Sequence, residues 1–182
     1  MRRVLRWDEP RSDPAGAPLS PLSDRHVETA LEAARVRAWE DVFLDYGCGR
    51  GRALLVAAGF PFRRVIGVEI VPALVREARR SAARAGRLSC GSILVEQADA
   101  ADYELPRDVT VALLFHPFSG ATLARVLERV RASLREAPRR FRIAHLSPLA
   151  GDDALMRTPW LRPLARLPTG LWDDMRFTLY EA

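Results

Sequence analysis

The residues best suited to chemistry form a glycine-rich turn, Asp45-Tyr-Gly-Cys-Gly-Arg-Gly51. The turn follows a short apolar segment, residues 42–45, and precedes a segment of helical pattern, residues 52–58. Its glycines allow the backbone to turn sharply and to come close to a ligand. The sequence therefore predicts a ligand-binding connection between a strand and a helix.

The spacing of the glycines indicates which kind of ligand this turn accepts. Gly47, Gly49 and Gly51 form G-x-G-x-G, and Asp45 stands two positions before the first of them. Dinucleotide-binding folds instead use G-x-G-x-x-G. A carboxylate beside the turn would repel a pyrophosphate, but it would attract the ammonium and sulfonium groups of S-adenosylmethionine. The residues thus favour the cationic cofactor over a dinucleotide.

Two further acids stand where later strands are predicted to end. Glu69 follows the apolar segment 64–68 and could accept both hydroxyl hydrogens of a ribose. Asp99, which follows the apolar segment 93–96, could accept a hydrogen bond from an adenine amino group. A glycine turn or a single acid at a strand end is often structural. The three together, at successive strand ends, predict a nucleoside-binding edge of a sheet.

In this order, segment 45–51, Glu69 and Asp99 resemble the nucleoside-binding motifs of class I S-adenosylmethionine-dependent methyltransferases. The resemblance covers residues 23–146 and implies S-adenosylmethionine as the cofactor. The cofactor-binding residues that it implies are Asp45, Gly47, Cys48, Gly49, Gly51, Glu69, Ile70, Asp99, Ala100 and Phe115. Within this class, segments 43–52 and 61–69 are most similar to small bacterial methyltransferases related to the Dot1-type lysine methyltransferases.

The same resemblance places the methyl acceptor at Phe115-His-Pro-Phe118, where the fourth predicted strand ends. Many N-methyltransferases have Asn-Pro-Pro-aromatic or Asn-Pro-Phe there; the asparagine holds the acceptor amine and the ring packs on it. This chain has His116 in place of asparagine. A neutral imidazole can orient an amine or take its proton, so His116 is the predicted catalytic residue. His116, Pro117 and Phe118 are the predicted substrate contacts, and the alternative is that His116 only fills space.

Alternating apolar strands and amphipathic helices are predicted to position these residues. Ser23 is typical of an N-cap and begins a predicted helix through Trp39. Residues 52–58 form a second predicted helix. Pro72 begins a third that runs toward Gly86 as its C-cap, and residues 120–135 form a fourth with one apolar face. Strands alternating with helices predict an α/β fold, with a Rossmann-like, open, mostly parallel and doubly wound sheet.

The remaining strands complete the predicted sheet. Segments 93–96 and 109–115 are both apolar enough to be central in a parallel sheet. Only residues 97–108 connect them, which is barely enough for a full crossover helix. We therefore expect this connection to contain only a turn or two of helix. A fifth strand is predicted at 141–146, and the alternation of residues 175–180 predicts an antiparallel edge strand near the C-terminus.

The 182 residues are enough for one domain. Residues 1–22 contain four prolines and are predicted to form an irregular arm, which leaves residues 23–182 as the methyltransferase domain. The two cysteines and three histidines show no metal-ligand spacing, so no structural metal is expected. No apolar stretch is long enough to span a membrane, and a cytoplasmic bacterial protein is expected.

The net charge of +5 raises the possibility of a nucleic-acid partner. All 28 basic residues are arginine, and the chain contains neither lysine nor asparagine. This is the bias of a GC-rich genome, and the arginine pairs are scattered along the chain, so solvated surface is the favoured explanation.

The predicted function is therefore methylation of a nitrogen on a protein side chain or on a small-molecule amine. Methylation of RNA or DNA is an alternative that salt-sensitive retention on nucleic acid would favour. A cofactor-binding protein that has lost catalysis is another, which tight cofactor binding without turnover would favour. A nicotinamide-dependent oxidoreductase is disfavoured by Asp45 and by the glycine spacing. A fold identifies neither the acceptor nor the oligomeric state.

Overall fold

The computed structural model describes residues 23–115, 118, 120–148, 155–168 and 175–182. The predicted arm, residues 1–22, lies outside these. The helices are α1 (Asp24–Ala33), α2 (Arg52–Ala57), α3 (Pro72–Arg84) and α4 (Gly120–Glu136). The strands are β1 (Val42–Tyr46), β2 (Arg64–Glu69), β3 (Ile93–Gln97), β4 (Val111–Phe115), β5 (Arg142–Pro148), β6 (Arg162–Leu167) and β7 (Met175–Glu181).

The strands form one seven-stranded sheet in the order β3-β2-β1-β4-β5-β7-β6. Neighbours from β3 to β5 pair in parallel, and β7 pairs antiparallel with both β5 and β6. The chain winds outward from β1 to β3 and then returns to β4 on the other side of β1. This confirms the predicted Rossmann-like, doubly wound sheet with an antiparallel strand near the C-terminus, and it places the topological switch point between β1 and β4.

Helices cover both faces of the sheet, which is why its central strands are apolar throughout. On one face, α1, α2 and α3 pack against alternate strand residues such as Phe43 and Leu113. On the other, α4 packs against the intervening residues, including Leu44 and Leu114. Every side chain of β1 is buried, so this strand rigidly holds the residues that follow it.

The prediction that the first helix runs through Trp39 is wrong, since α1 ends at Ala33. Arg35 and Trp39 both adopt positive φ, of 48° and 64°, which a continuing helix does not allow. Other partners satisfy the backbone here: the Arg37 N–H donates to the Asp41 carboxylate at 2.7 Å, and the Trp39 N–H donates to the Pro61 carbonyl at 2.7 Å.

Two predictions about strand position are also wrong. The third strand, expected in the centre, is the edge strand β3, whose residues are mostly half-buried or exposed. The C-terminal strand, expected at an edge, lies inside the sheet as β7 because β6 pairs along it. Strand β6 was not predicted, because Pro163 together with Arg162 and Arg166 resembles a loop. An edge strand tolerates such residues, and a register shift follows Pro163.

The connection from β3 to β4, residues 98–110, contains only turns, as its length predicted. Tyr103, Leu105 and Val109 anchor it in the core on the α4 side of the sheet. The predicted C-cap at Gly86 is wrong, because α3 ends at Arg84 and its C-cap is Ala85, whose φ of −57° and ψ of 130° leave the helical region. Gly86 has no positive φ.

Candidate functional site

The candidate site lies at the carboxyl ends of β2, β1 and β4. Asp45, near the end of β1, is in register with Gly67 of β2 and with Leu113 of β4. The glycine-rich turn therefore begins beside the switch point, where open α/β sheets bind their ligands.

The backbone of the turn requires glycine. Gly49 has a φ of 53° and Gly51 a φ of 86°, in the left-handed region that favours glycine. A Cβ at Gly49 would meet no atom within 4 Å, so the space beside it is open. A Cβ at Gly51 would lie 3.2 Å from the Cβ of Ala78 on α3. Gly49 thus faces open space for a ligand, whereas Gly51 lets α2 and α3 approach each other.

Glu69 holds the turn from the neighbouring strand. Its Oε2 accepts a hydrogen bond from the Gly49 N–H at 3.0 Å, and its Oε1 accepts one from the Val71 N–H at 2.9 Å. Each carboxylate oxygen has a second acceptor site, so both could still bind the hydroxyl groups of a ribose. Two backbone N–H groups thus fix the orientation of Glu69, the residue that is predicted to bind the ribose.

Asp45 is an acid in a nearly dry environment, with 4% of its surface exposed. Burial, followed by the negative charge of Glu69, raises the pKa of its carboxyl to about 7. A nearby cationic group would favour the ionised form and lower that pKa. Two buried carboxylates beside an open glycine turn therefore fit a ligand with a cationic end and a ribose.

Two exposed apolar side chains follow Glu69 in the chain, and an acid follows the neighbouring strand β3. Ile70 has 57% and Val71 43% of its surface exposed, which is unusual for such side chains. Asp99 is exposed after β3, and its Oδ1 accepts a hydrogen bond from the Ala101 N–H at 2.8 Å. Ala100, the residue after Asp99, is half-buried. This edge offers an apolar surface with a carboxylate beside it, which suits a flat purine ring.

Cys48 and Gly67 form a close contact beneath the turn. The Cys48 side chain is buried, and its burial raises the pKa of the thiol, to which Asp45 and Glu69 add. A Cβ at Gly67 would lie 2.7 Å from the Cys48 Sγ and 2.6 Å from the Leu54 Cδ1. Gly67 was not among the predicted site residues, although a lone glycine within a strand signals such a close approach.

Two ion pairs that the sequence did not reveal brace the turn from outside. Arg50 lies in the turn and pairs with Glu77 of α3 at 3.2 Å. Arg52 starts α2 and pairs with Asp24 of α1 at 2.8 Å. Since each pair joins segments more than twenty residues apart, no local sequence pattern predicts it.

The structure describes two residues of the segment that is predicted to bind the methyl acceptor, residues 115–118. Phe115 is half-buried at the end of β4, and the Phe118 ring meets the Tyr46 ring edge-on with centroids 6.4 Å apart. His116 and Pro117 lie outside the described residues. Because Tyr46 ends β1, its contact with Phe118 brings the segment after β4 to the same edge as the glycine turn.

Neither a metal-binding cluster nor a membrane-spanning helix is present in the part of the chain that the structure describes. There, no three His, Cys, Asp or Glu side chains are grouped so as to hold a metal ion. Within the same residues, none of the helices combines the length and the apolar character needed to cross a bilayer.

Residues 43–137, just over half of the chain, match the family described as methyltransferase domain. A protein-lysine N-methyltransferase of Saccharolobus islandicus is 33% identical over 98 residues, which are 53% of this chain. The match spans 60% of that relative's length.

Similar solved structures support the same fold. An RNA methyltransferase from Salinibacter ruber, in complex with S-adenosyl-L-homocysteine, has a TM-score of 0.58 and 24% identity, covering 88% of this chain and 91% of its own. N-methyltransferase NodS from Bradyrhizobium japonicum has a TM-score of 0.64 and 11% identity, covering 86% and 92%. By its fold and its family match, the chain belongs to the class I S-adenosylmethionine-dependent methyltransferases, whose cofactor is S-adenosylmethionine.

Proposed function

We propose that the protein transfers a methyl group from S-adenosylmethionine to a nitrogen of a protein side chain or of a small-molecule amine. The main support for S-adenosylmethionine as the methyl donor is the pair of buried carboxylates beside the open turn at Gly49. Asp45 and Glu69 lie on neighbouring strands of the sheet, and the charge of Glu69 contributes to the raised pKa of Asp45. A cationic cofactor relieves this repulsion, whereas a pyrophosphate would increase it.

Each residue of the edge has a distinct part in holding the cofactor. Glu69 accepts hydrogen bonds from the ribose hydroxyls, and Asp45 attracts the ammonium group. Ile70 packs on the adenine ring, and Asp99 accepts a hydrogen bond from its amino group. When bound, S-adenosylmethionine supplies the methyl group, and S-adenosylhomocysteine is the second product.

His116 follows directly after β4, so in this proposal it stands beside the acceptor. A lysine-like amine has a pKa near 10.4 and is protonated at neutral pH. It must lose a proton before its nitrogen lone pair can attack. His116 orients the amine or accepts this proton, Pro117 lines the site, and Phe118, which packs on Tyr46, contacts the substrate.

The nature of the acceptor rests on the curated relative, a protein-lysine N-methyltransferase. It is consistent with the resemblance to small bacterial methyltransferases related to the Dot1-type enzymes. Methylation of RNA is the second candidate, favoured by the net charge of +5 and separated from the first by the acceptor assay described below.

Calorimetric titration with S-adenosylmethionine, S-adenosylhomocysteine and NAD tests the donor site. We expect micromolar binding of the first two, weakened at least tenfold in Glu69→Gln, which keeps the shape but removes the negative charge and replaces one acceptor oxygen with an NH2 donor. Glu128→Gln, an exposed site on α4, is the matched control and keeps full affinity. Binding of NAD without the other two ligands would overturn the proposal.

Transfer of tritiated methyl groups to protein extract, polyamines and total RNA tests the acceptor. We expect label on protein or amine, abolished in His116→Ala and partly kept in His116→Asn, with cofactor affinity unchanged in both. Label on RNA alone would replace the proposed acceptor. Full transfer by His116→Ala would remove His116 from the mechanism.

A further inference from the structure

The outer side of α3 carries a row of arginines. Arg76, Arg80 and Arg84 are spaced four residues apart, which places them on the same side of the helix, and Arg87 lies three residues beyond the end of α3. All four are exposed. We call these four residues the α3 arginine row.

Acids do not neutralise the row. None of its four members takes part in an ion pair within the described residues. Glu77, the one acid of α3, is turned to Arg50 of the glycine-rich turn. Like charges four residues apart destabilise a helix by a few tenths of a kcal/mol per pair. Repulsion within the row therefore destabilises α3, and no ion pair of these four arginines within the described residues offsets that cost.

Several arginines on the other side of the molecule are paired, in contrast. Arg125 of α4 donates to Asp102, and Arg129 lies 3.8 Å from the same carboxylate. Arg107 pairs with Glu136 at the end of α4 at 3.1 Å. An arginine-rich composition thus does not by itself leave a whole row unpaired. On α4, two of the four arginines have an acid partner, and the other two, Arg131 and Arg135, have no ion pair within the described residues.

We propose that the α3 arginine row binds the phosphate backbone of a nucleic acid and docks the protein on it. A rise of 1.5 Å per residue sets the arginines of α3 about 6 Å apart, with Arg76 and Arg84 about 12 Å apart. Guanidinium groups bind phosphates with two parallel hydrogen bonds. Guanidinium groups that follow one another along one side of a helix suit a chain of phosphates, which are regularly spaced anions.

The composition of α3 favours nucleic acid over the other anionic partners. Residues 72–87 contain no aromatic side chain, and the apolar Val75 and Ala78 face the core. A membrane-binding helix needs exposed apolar anchors, and a protein interface usually has aromatic ones. The row offers charge alone, which is the signature of phosphate contacts without base reading.

The position of the row connects it with the proposed donor site without overlapping it. The helix starts at Pro72, just after Val71, whose N–H binds Glu69. The row begins one turn further along and runs away from that edge. Nucleic acid bound there leaves the cofactor edge free, so the inference does not depend on which acceptor is methylated.

The test is fluorescence anisotropy with a labelled 20-nucleotide single-stranded RNA at several salt concentrations. Four phosphate contacts predict that log K falls with log[salt] with a slope of about −3. Arg80→Ala/Arg84→Ala removes two contacts, so we expect a slope smaller by about 1.4 and at least tenfold weaker binding at low salt. Arg80→Lys/Arg84→Lys keeps the slope because it keeps the charges.

The matched control is Arg131→Ala/Arg135→Ala on α4, which removes the same charge from two exposed sites. It is expected to leave the slope nearly unchanged, and calorimetry with S-adenosylmethionine shows that each double variant is folded. Equal weakening by both pairs would overturn the proposal, since it would indicate a diffuse effect of net charge. So would stronger binding of polyglutamate or of phosphatidylglycerol vesicles than of RNA.

Discussion

At the scale of single residues, Asp45 combines two opposing demands. An acid that is almost fully buried favours its neutral form, and the pKa of about 7 means that ionisation costs free energy in the free protein. The proposed cofactor supplies a positive charge that reverses this preference. Asp45 therefore lowers the stability of the ligand-free protein but raises its affinity for the cofactor.

Replacing Asp45 with asparagine is expected to separate these two effects. The folded-state pKa lies above the ordinary value of 3.8, so the stability that Asp45 contributes is complete below about pH 4 and is lost as the pH rises through 7. At pH 8, Asp45→Asn should therefore unfold at a temperature roughly 3–8 °C higher while losing at least tenfold in affinity for S-adenosylmethionine. Asp102→Asn, an exposed acid, is the control for scanning calorimetry. A less stable Asp45→Asn at pH 8 would contradict this account.

The affinity for S-adenosylmethionine should depend on pH for the same reason. Only the carboxylate of Asp45 attracts the ammonium group, so affinity is expected to rise by up to tenfold per pH unit from pH 5.5 to 7. It should fall again above about pH 8, where an α-amino group loses its proton. Calorimetry in buffers of different ionisation enthalpy should detect one proton released at pH 6. A flat profile in the unaltered protein, or a rise that persists in Asp45→Asn, would show that Asp45 does not face the cation.

Gly67 shows how a residue without a side chain can shape the site. A methyl group there would press on the Cys48 Sγ, only 2.7 Å away, and so push the turn off β2. Gly67→Ala is expected to cost roughly 1–3 kcal/mol in urea unfolding and to weaken cofactor binding. Cys48→Ala should restore part of both when added to Gly67→Ala, because it removes the Sγ, one of the two side-chain atoms that lie closer than 3.0 Å to the added methyl group. No rescue would mean that Leu54 is the obstacle.

At the scale of secondary structure, the sequence predicted the elements that carry the site better than their neighbours. The glycine-rich turn and Glu69 each follow a buried, continuous apolar strand, and such a strand gives a clear local signal. The contact between the Gly49 N–H and Glu69 spans twenty residues and depends on strand order. Periodicity does not encode that order, which is why β3 and β7 were misplaced.

Arg139 connects α4 to the chain around it. Its guanidinium donates to the carbonyls of Val109, Ala137 and Ser133, at 2.6, 2.8 and 3.2 Å. These bonds satisfy orphan carbonyls at the end of α4 and before β4. Arg139→Ala should therefore lower the free energy of unfolding by about 2–4 kcal/mol, and Arg139→Lys by less. Arg135→Ala, an exposed neighbour, should change it by less than about 0.5 kcal/mol in the same urea titration.

At the scale of the whole molecule, three distant segments meet at one edge of a single sheet. Residues 45–51, 69–71 and 99 reach that edge only when β1, β2 and β3 are paired. Ligand binding is therefore coupled to folding of the entire parallel half of the sheet.

S-adenosylhomocysteine at one hundred times its dissociation constant should stabilise the protein by about 2.7 kcal/mol. For a chain of this length, that corresponds to a rise in the melting temperature of roughly 5–10 °C. Glu69→Gln should show less than half of this rise, and NAD should produce none in the unaltered protein. A rise with S-adenosylhomocysteine that Glu69→Gln retains in full would place the ligand elsewhere.

The connection of turns between β3 and β4 has a consequence for motion. Residues 98–110 lie where a helix would otherwise cover the α4 side of β2 and β3, so few of their amides have helical hydrogen bonds. Such amides open at low free-energy cost and exchange their hydrogens early. Because Asp99 lies within this stretch, the adenine end of the proposed cofactor site is expected to be the more mobile end. The end at Asp45, which belongs to the buried strand β1, is expected to be more rigid. Deuterium uptake should accordingly slow most around Asp99 when S-adenosylhomocysteine binds, while the amides of β1 hardly change.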